Sequence, residues 1–282
     1  MKKVLLTVLF LKFILFFNVT NAQMDQLITS TGQHQISADA CGTVVSGEAC
    51  PIIIEKSVGA TTILKAYLYY STGSLFYETD DPGEDVITLT GGGLVGEVVH
   101  GTNLTSSLAL DGHHQYTRYE DVTDLLSPGL DAALDGTTTE YSILEHEDVT
   151  YHVQGVGIIV IWNNPTIENA IVHISIGSAC TDVGVTESIE VDPIDTDLVG
   201  FYATLGVGLV YANGNLILDP VEPSISTLKI NDAELYDSLG GFEDGAYITG
   251  AVITLGGFGD SEASIDDEYF DFSDFEAQIK VS

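Results

Sequence analysis

Short runs of β-branched and aromatic residues, separated by turn residues, dominate this 282-residue chain after its first 22 positions. The run GVGIIVIWNN at 155–164 shows the pattern most clearly, because it is apolar on both faces and ends at a turn, Asn163-Asn164-Pro165. Such a run predicts a central strand that is covered on each side, rather than a buried helix. Further runs predict strands at 60–71, 85–91, 94–101, 169–177, 198–212, 226–232 and 246–255.

The segments between these runs carry the residues that reverse a chain. Asp81-Pro82-Gly83, Asn213-Gly214-Asn215 and Asp219-Pro220 each lie between two apolar runs, where a turn is needed. We therefore expect an all-β fold, an antiparallel two-sheet β-sandwich of jelly-roll type.

One helix is predicted within this β pattern, at YEDVTDLLSPG (119–129). The segment starts with acidic residues, has apolar residues at helical spacing, and meets Pro128-Gly129 as a stop signal. Residues 23–282 are expected to form a single β-sandwich domain, and the acidic segment TESIEVDPIDTD at 186–197 marks a possible boundary between two smaller ones.

The first 22 residues have the features of a secretory signal peptide. Lys2 and Lys3 form a positive start, 4–17 is almost wholly apolar, and Asn18–Ala22 ends in small residues. A membrane anchor is the competing interpretation, but Lys12 interrupts the apolar run, which suits cleavage after Ala22 better than a span of about 20 residues. The mature chain is expected to be secreted, at the cell surface or extracellular, without membrane insertion.

The chain is strongly acidic, with 8 Lys and Arg against 42 Asp and Glu. Removal of 1–22 takes away three lysines, so the mature net charge is 5 − 42 = −37. Such a surface repels nucleic acid and anionic lipid, and its self-repulsion favours binding of cations or a salt-rich medium. We expect no nucleic-acid partner.

Cysteine usage fits an oxidising compartment. Cys41 and Cys50 flank the Gly- and Ser-rich segment GTVVSGEA, and a disulfide between them would clip a hairpin and stabilise the fold by about 2–3 kcal/mol. Cys180 is then either a buried free thiol or the partner in a different pairing.

Signatures of catalysis are missing from the sequence. It contains no G-x-S-x-G, H-E-x-x-H, Walker or C-x-x-C motif, and His113-His114 would point to opposite faces of a strand. The neighbouring segment Tyr116–Asp121 is polar enough to line a cleft. A pair of carboxylates set for glycoside hydrolysis stays an alternative, since the chain has so many. We do not expect an enzyme.

Two acidic, glycine-containing loops predict calcium sites, because Ca²⁺ is held by six to eight oxygens on a flexible loop. The first is GGFGDSEASIDDEYFDF at 256–272, and its glycines supply the bend. A similar frame, GGFED at 240–244, lies at the other end of the predicted strand 246–255 and adds one carboxylate. The ligands of this first site are predicted to be Asp260, Asp266, Asp267, Glu268 and Asp244. A second candidate, YETDDPGED at 77–85, offers Asp80, Asp81, Glu84 and Asp85.

Five segments form a recurring order along the chain, namely AYLYYS (66–71), YEDVTDLL (119–126), GVGIIVIWNNP (155–165), FEDGAYITGAVITLGGFGDS (242–261) and DDEYFDF (266–272). Together they resemble a domain family of secreted bacterial and archaeal cell-surface proteins. The resemblance covers most of 60–272 and implies a non-catalytic, β-rich extracellular module of adhesin-like proteins.

Two functional hypotheses follow. The first is a secreted structural or adhesive β-sandwich, stabilised by Ca²⁺, that contacts itself, another extracellular protein or a glycan. The second is a carbohydrate-binding or glycan-hydrolysing jelly roll. Exposed sheet edges would permit assembly by strand addition under the first hypothesis.

Overall fold

The computed structural model describes residues 23–42, 50–74, 86–108, 114–146, 151–178, 204–206, 228–230, 233–236 and 269–271. In these ranges the chain forms antiparallel strands and a single helix, so the expected all-β antiparallel class is confirmed. The elements are β1 (Gln23–Gly32), β2 (His34–Gly42), β3 (Cys50–Lys56), β4 (Thr62–Ser74), β5 (Val86–Gly91), β6 (Leu94–Val99), β7 (Thr102–Leu108), β8 (His114–Asp121), α1 (Thr123–Ala132), β9 (Thr137–His146), β10 (Tyr151–Asn163), β11 (Ala170–Ser178), β12 (Thr204–Gly206), β13 (Leu228–Ile230), β14 (Ala233–Tyr236) and β15 (Tyr269–Asp271).

Two sheets hold most of these strands. A five-stranded sheet has the order β2-β10-β4-β8-β7, and a four-stranded sheet has the order β3-β9-β5-β6. Three separate pairs, β1-β11, β12-β15 and β13-β14, complete the described strands. Neighbours in the larger sheets are mostly distant in sequence, so long connections rather than tight hairpins set the topology.

Strand β10 lies at the centre of the five-stranded sheet, as its sequence predicts. It pairs with β2 on one side and with β4 on the other, and every residue from 156 to 162 is buried. Gly157 lies opposite Tyr69, and a Cβ at this position would lie 2.3 Å from the Tyr69 ring. Glycine is therefore needed here because the tyrosine ring lies directly against the β10 backbone.

The two faces of β10 bury their side chains in two different cores, because successive residues of a strand point to opposite sides. Val156, Ile158, Val160 and Trp162 pack in a core that the five-stranded sheet shares with the four-stranded sheet and α1. Ile159 and Ile161 pack in a second core, which strand β11 closes with three apolar residues, Val172, Ile174 and Ile176. The pair β1-β11 thus adds a third layer to the two sheets that the sequence predicts.

Helix α1 lies four residues further along the chain than predicted. Residues 119–121 belong to β8, and the helix runs through Pro128-Gly129 to Ala132, so the predicted stop is wrong. Proline removes one helical hydrogen bond, but Leu126 and Leu130 are both buried in the first core. Burial of this apolar stripe holds the helix together across the proline.

Other predicted strands match in part. Those at 60–71, 85–91, 94–101 and 169–177 are confirmed by β4, β5, β6 and β11. The long run at 198–212 is described only as β12, and the run at 226–232 only as β13. The strand predicted at 246–255, the boundary predicted at 186–197 and the signal peptide at 1–22 lie outside the described residues.

The two cysteines of the predicted disulfide lie in different sheets. Cys41 pairs with Val156 near the end of β2, and Cys50 pairs with Ile143 at the start of β3. The predicted hairpin between them is wrong, because β2 and β3 belong to separate sheets rather than to one ladder. The disulfide itself stays a prediction, and Cys180 lies outside the described residues.

Candidate functional site

Both predicted calcium sites lie outside the residues that the structure describes. This holds for Asp244, Asp260, Asp266, Asp267 and Glu268, and also for Asp80, Asp81, Glu84 and Asp85. Within the described ranges, no group of three or more His, Cys, Asp or Glu side chains is placed to hold a metal ion. The calcium sites therefore stay predictions. The same ranges contain no helix long and apolar enough to span a membrane.

Lys56 is the most deeply buried cation of the first core, with 4% exposure. Its Nζ donates to the carbonyl oxygens of Asp131 at 2.8 Å and Ala133 at 3.0 Å. It also lies 3.9 Å from Asp135 Oδ1 and 5.9 Å from the ring centroid of Trp162. Because these carbonyls end helix α1, the ammonium group stabilises the negative end of the helix dipole. Its role is structural.

The side chain of Asn164 stabilises the turn that follows β10. The side chain is 1% exposed, and its Nδ2 donates to Gln35 Oε1 at 2.9 Å and to the Val58 carbonyl at 3.1 Å. Its Oδ1 accepts a hydrogen bond from the Thr166 amide at 3.1 Å. The Nδ2 group of this buried amide thus joins the turn to two other segments, and its Oδ1 braces the turn itself.

Lys65 of β4 and Asp121 at the end of β8 form an ion pair. Nζ donates to Asp121 Oδ2 at 2.6 Å, and the Thr123 amide donates to Asp121 Oδ1 at 3.0 Å. The hydrogen bond to Asp121 raises the pKa of Lys65. Burial opposes ionisation of Asp121, but the hydrogen bonds from Lys65 and Thr123 outweigh it and hold its pKa below the usual value. Both groups are therefore charged at neutral pH, so the Lys65 ammonium is not a nucleophile and the Asp121 carboxylate has no proton to donate as a general acid.

The predicted polar cleft at 116–121 does not form on β8. Arg118 pairs with Tyr70 and is buried on the face of the first core, whereas Tyr119 pairs with Tyr69 and packs against the second core. Alternation along the strand places these neighbours on opposite faces of the sheet. Side chains divided in this way between two cores cannot all line one cleft. Of the histidine pair, His114 begins β8 and His113 lies outside the described residues.

The two edges of the four-stranded sheet differ. At the β3 edge, the amides of Ile53 and Glu55 donate to side chains of β2, namely Asp39 Oδ2 and Ser37 Oγ. At the opposite edge, β6 exposes Val95 and Val98, with 87% and 54% of their surface accessible. Side chains that satisfy edge amides block the addition of another strand. The β3 edge is therefore closed, and in the described structure β6 has a partner strand on one side only.

A row of hydrogen-bonded polar side chains crosses the outer face of the pair β1-β11. We call it the polar row, and it consists of Gln26, Thr29, His173 and Ser175. Gln26 Nε2 donates to Thr29 Oγ1 at 2.8 Å, Thr29 Oγ1 lies 2.8 Å from His173 Nδ1, and His173 Nε2 lies 2.9 Å from Ser175 Oγ. The two ring nitrogens of one histidine thus join hydroxyls from two strands.

The polar row is not among the predicted sites, although the alternation of polar and apolar residues in β11 is a signal for part of it. In AIVHISI (170–176), His173 and Ser175 alternate with apolar residues that fill the second core. Period-two alternation predicts that both polar side chains share the outer face. Their contact with Thr29 has no such signal, because that residue lies 144 positions away.

Comparisons with known proteins give little guidance. No protein-family model matches the chain, and no curated protein matches it. Among solved structures, the chain is similar to AvmM, which catalyses macrocyclization in alchivemycin A biosynthesis. The likeness covers 52% of this chain and 92% of that chain, with 9% sequence identity and a TM-score of 0.27. At this TM-score it supports neither a fold assignment nor a function.

Proposed function

We propose that this chain is a secreted, non-enzymatic β-sandwich protein with a structural or adhesive role at the cell surface or in the extracellular matrix. The signal-peptide pattern of 1–22 and the acidic composition support export. The observation that carries the proposal is the β6 edge, which exposes Val95 and Val98 and has no second partner among the described strands. Exposed apolar residues on an unpaired edge strand favour contact with another chain.

We further propose that the sandwich is a jelly roll. In support, the sheets β2-β10-β4-β8-β7 and β3-β9-β5-β6 pack across the first core, with five strands on one side and four on the other. The chain crosses from one sheet to the other between β2 and β3, between β3 and β4, and between β4 and β5. It crosses again between β6 and β7, between β8 and β9, and between β9 and β10. Repeated crossing of this kind is typical of two Greek keys folded into a double sheet.

Blocking the β6 edge tests the adhesive proposal. The double variant Val95→Lys/Val98→Lys is expected to reduce light scattering by concentrated protein about tenfold, because lysines on an edge strand prevent strand addition. Both substitutions lower the net negative charge, so greater charge repulsion cannot explain a loss of association. Val58→Lys is the matched control, since Val58 is 74% exposed but lies in the turn after β3. Unchanged scattering by the double variant would remove β6 from the proposal.

Calcium stabilisation is tested by melting. Adding Ca²⁺ to EDTA-treated protein at about 100 times its dissociation constant is expected to stabilise the fold by about 2.7 kcal/mol. The melting temperature should then rise by roughly 5–10 °C. Neutralising Asp260, Asp266 and Asp267 as asparagines should abolish the rise if the first site binds the ion, whereas Asp80→Asn/Asp81→Asn tests the second. A melting temperature that does not change on addition of Ca²⁺ would refute the proposed calcium stabilisation and leave the adhesive proposal standing.

A further inference from the structure

The polar row has a rigid base. Between its members, β11 buries Val172, Ile174 and Ile176 in the second core, with 5–7% exposure. The outward-pointing His173 and Ser175 are therefore fixed to a strand that cannot rotate without exposing those three residues. Side chains mounted on such strands are held more precisely than those on loops.

Hydrogen bonds within the row also fix its side chains. Thr29 Oγ1 contacts both Gln26 Nε2 and His173 Nδ1, and the other ring nitrogen contacts Ser175. Binding of a ligand here costs the protein little side-chain entropy, because the rotamers of the row are already fixed. Capacity for new bonds remains, since an amide has four hydrogen-bonding positions and a hydroxyl has three. The row uses one of those positions on the Gln26 amide.

The strand segments that carry the row have no charged side chain, and the nearest one along β1 is Asp25, which precedes Gln26. Segments 26–32 and 170–176 contain no Asp, Glu, Lys or Arg, in a chain whose net charge is −34. Without carboxylates the face is poorly suited to a divalent cation, and the field of the whole chain repels anions. A neutral ligand rich in hydroxyl groups suits it best.

An apolar contact lies on the same face. Ile171 is 57% exposed and pairs with Thr31, two positions along the ladder from the pair formed by Thr29 and His173. From Ile171 to Ser175 the strand extends about 13 Å, at about 3.3 Å per residue. This strip presents hydroxyl, amide and imidazole groups at one end and an aliphatic surface at the other. A linear sugar chain offers hydroxyls and C–H faces in the same way.

We propose that the outer face of β1-β11 binds a neutral polysaccharide through Gln26, Thr29, His173 and Ser175. The proposal rests on the secreted adhesive function proposed above and names a ligand class for it. Because the row contains no aromatic platform, each sugar contact is weak, and affinity depends on several units of the polymer binding at once.

Affinity electrophoresis of the full secreted protein tests the proposal. The gels contain hydroxyethyl cellulose, galactomannan or dextran, with alginate as the anionic comparison. At least one neutral polymer should retard the protein, and alginate should not. Thr29→Val and Ser175→Ala should each weaken retardation about five- to tenfold, the effect of losing one hydrogen bond.

Thr138→Val is the matched control, because Thr138 is an exposed threonine on β9 in the other sheet. Melting curves verify that every variant is folded. No retardation by any neutral polymer would overturn the proposal, as would equal retardation of Thr29→Val, Ser175→Ala and the unsubstituted protein. Binding to alginate only with Ca²⁺ would assign binding to the acidic loops and overturn it too. Scattering by Val95→Lys/Val98→Lys separates this failure from failure of the adhesive function.

Discussion

Replacing Gly129 by alanine is expected to lower the free energy of unfolding by about 2–3 kcal/mol, because it forces an extra methyl group into a filled contact. A Cβ at this position would lie 1.9 Å from the carbonyl oxygen of Gly92, in the turn between β5 and β6. Both groups belong to backbone, so neither can rotate away. On helix propensity alone the same substitution would stabilise an exposed helix by about 1 kcal/mol.

The opposite signs of these two effects make the experiment decisive. Gly93→Ala serves as the control, since a Cβ there meets nothing within 4 Å and costs only the strain of a positive φ of 94°. That strain is about 1–2 kcal/mol. Urea unfolding should therefore show a larger loss for Gly129→Ala than for Gly93→Ala. A gain in stability from Gly129→Ala would mean that α1 does not contact the β5–β6 turn.

Lys56→Met is expected to destabilise the protein by about 3 kcal/mol, because two part-buried carbonyl oxygens lose a charged donor. Methionine keeps the apolar stem of lysine, so packing beside Trp162 changes little. The loss therefore reports the contacts that Nζ makes with the Asp131 and Ala133 carbonyls at the end of α1. Loss of the positive charge at the helix end adds to it.

Lys65→Met is the matched control in the same chain. Lys65 also pairs with an aspartate, but its side chain is 39% exposed and that of Asp121 is 40% exposed. An ion pair this open to solvent contributes at most about 1 kcal/mol. Chemical unfolding of the two variants in parallel should show a clear difference. Equal losses would indicate that Lys56 is hydrated in solution rather than buried beneath the helix end.

Local pattern predicted the strands well, and particular residues show why. In β10 the apolar run from 156 to 162 has no polar face, and both of its faces are buried. In β11 the alternation of His173 and Ser175 with apolar residues matches one buried and one outer face. Whether a strand residue is buried depends on the face it occupies, so the period of the apolar residues predicts which faces of the strand are buried.

Local pattern gave wrong predictions where contacts with distant segments outweigh local conformational preference. Pro128-Gly129 is a stop signal in isolation, yet α1 continues because Leu130 is fully buried against the sheets. The cysteine segment looks like a hairpin, yet its two ends join different sheets. The continuation of α1 and the separation of the two cysteine strands both depend on distant residues, so the local sequence does not predict them.

The sequence by itself determined the all-β antiparallel class, the central position of β10 and the acidic character of the chain, because each depends on periodicity or composition. Only the tertiary structure decided that Lys56 is buried at a helix end, that β3 is closed while β6 has one partner among the described strands, and that Thr29 meets His173. These features arise between segments far apart along the chain. Their energies depend on how sheets stack, and stacking is a property of the whole fold.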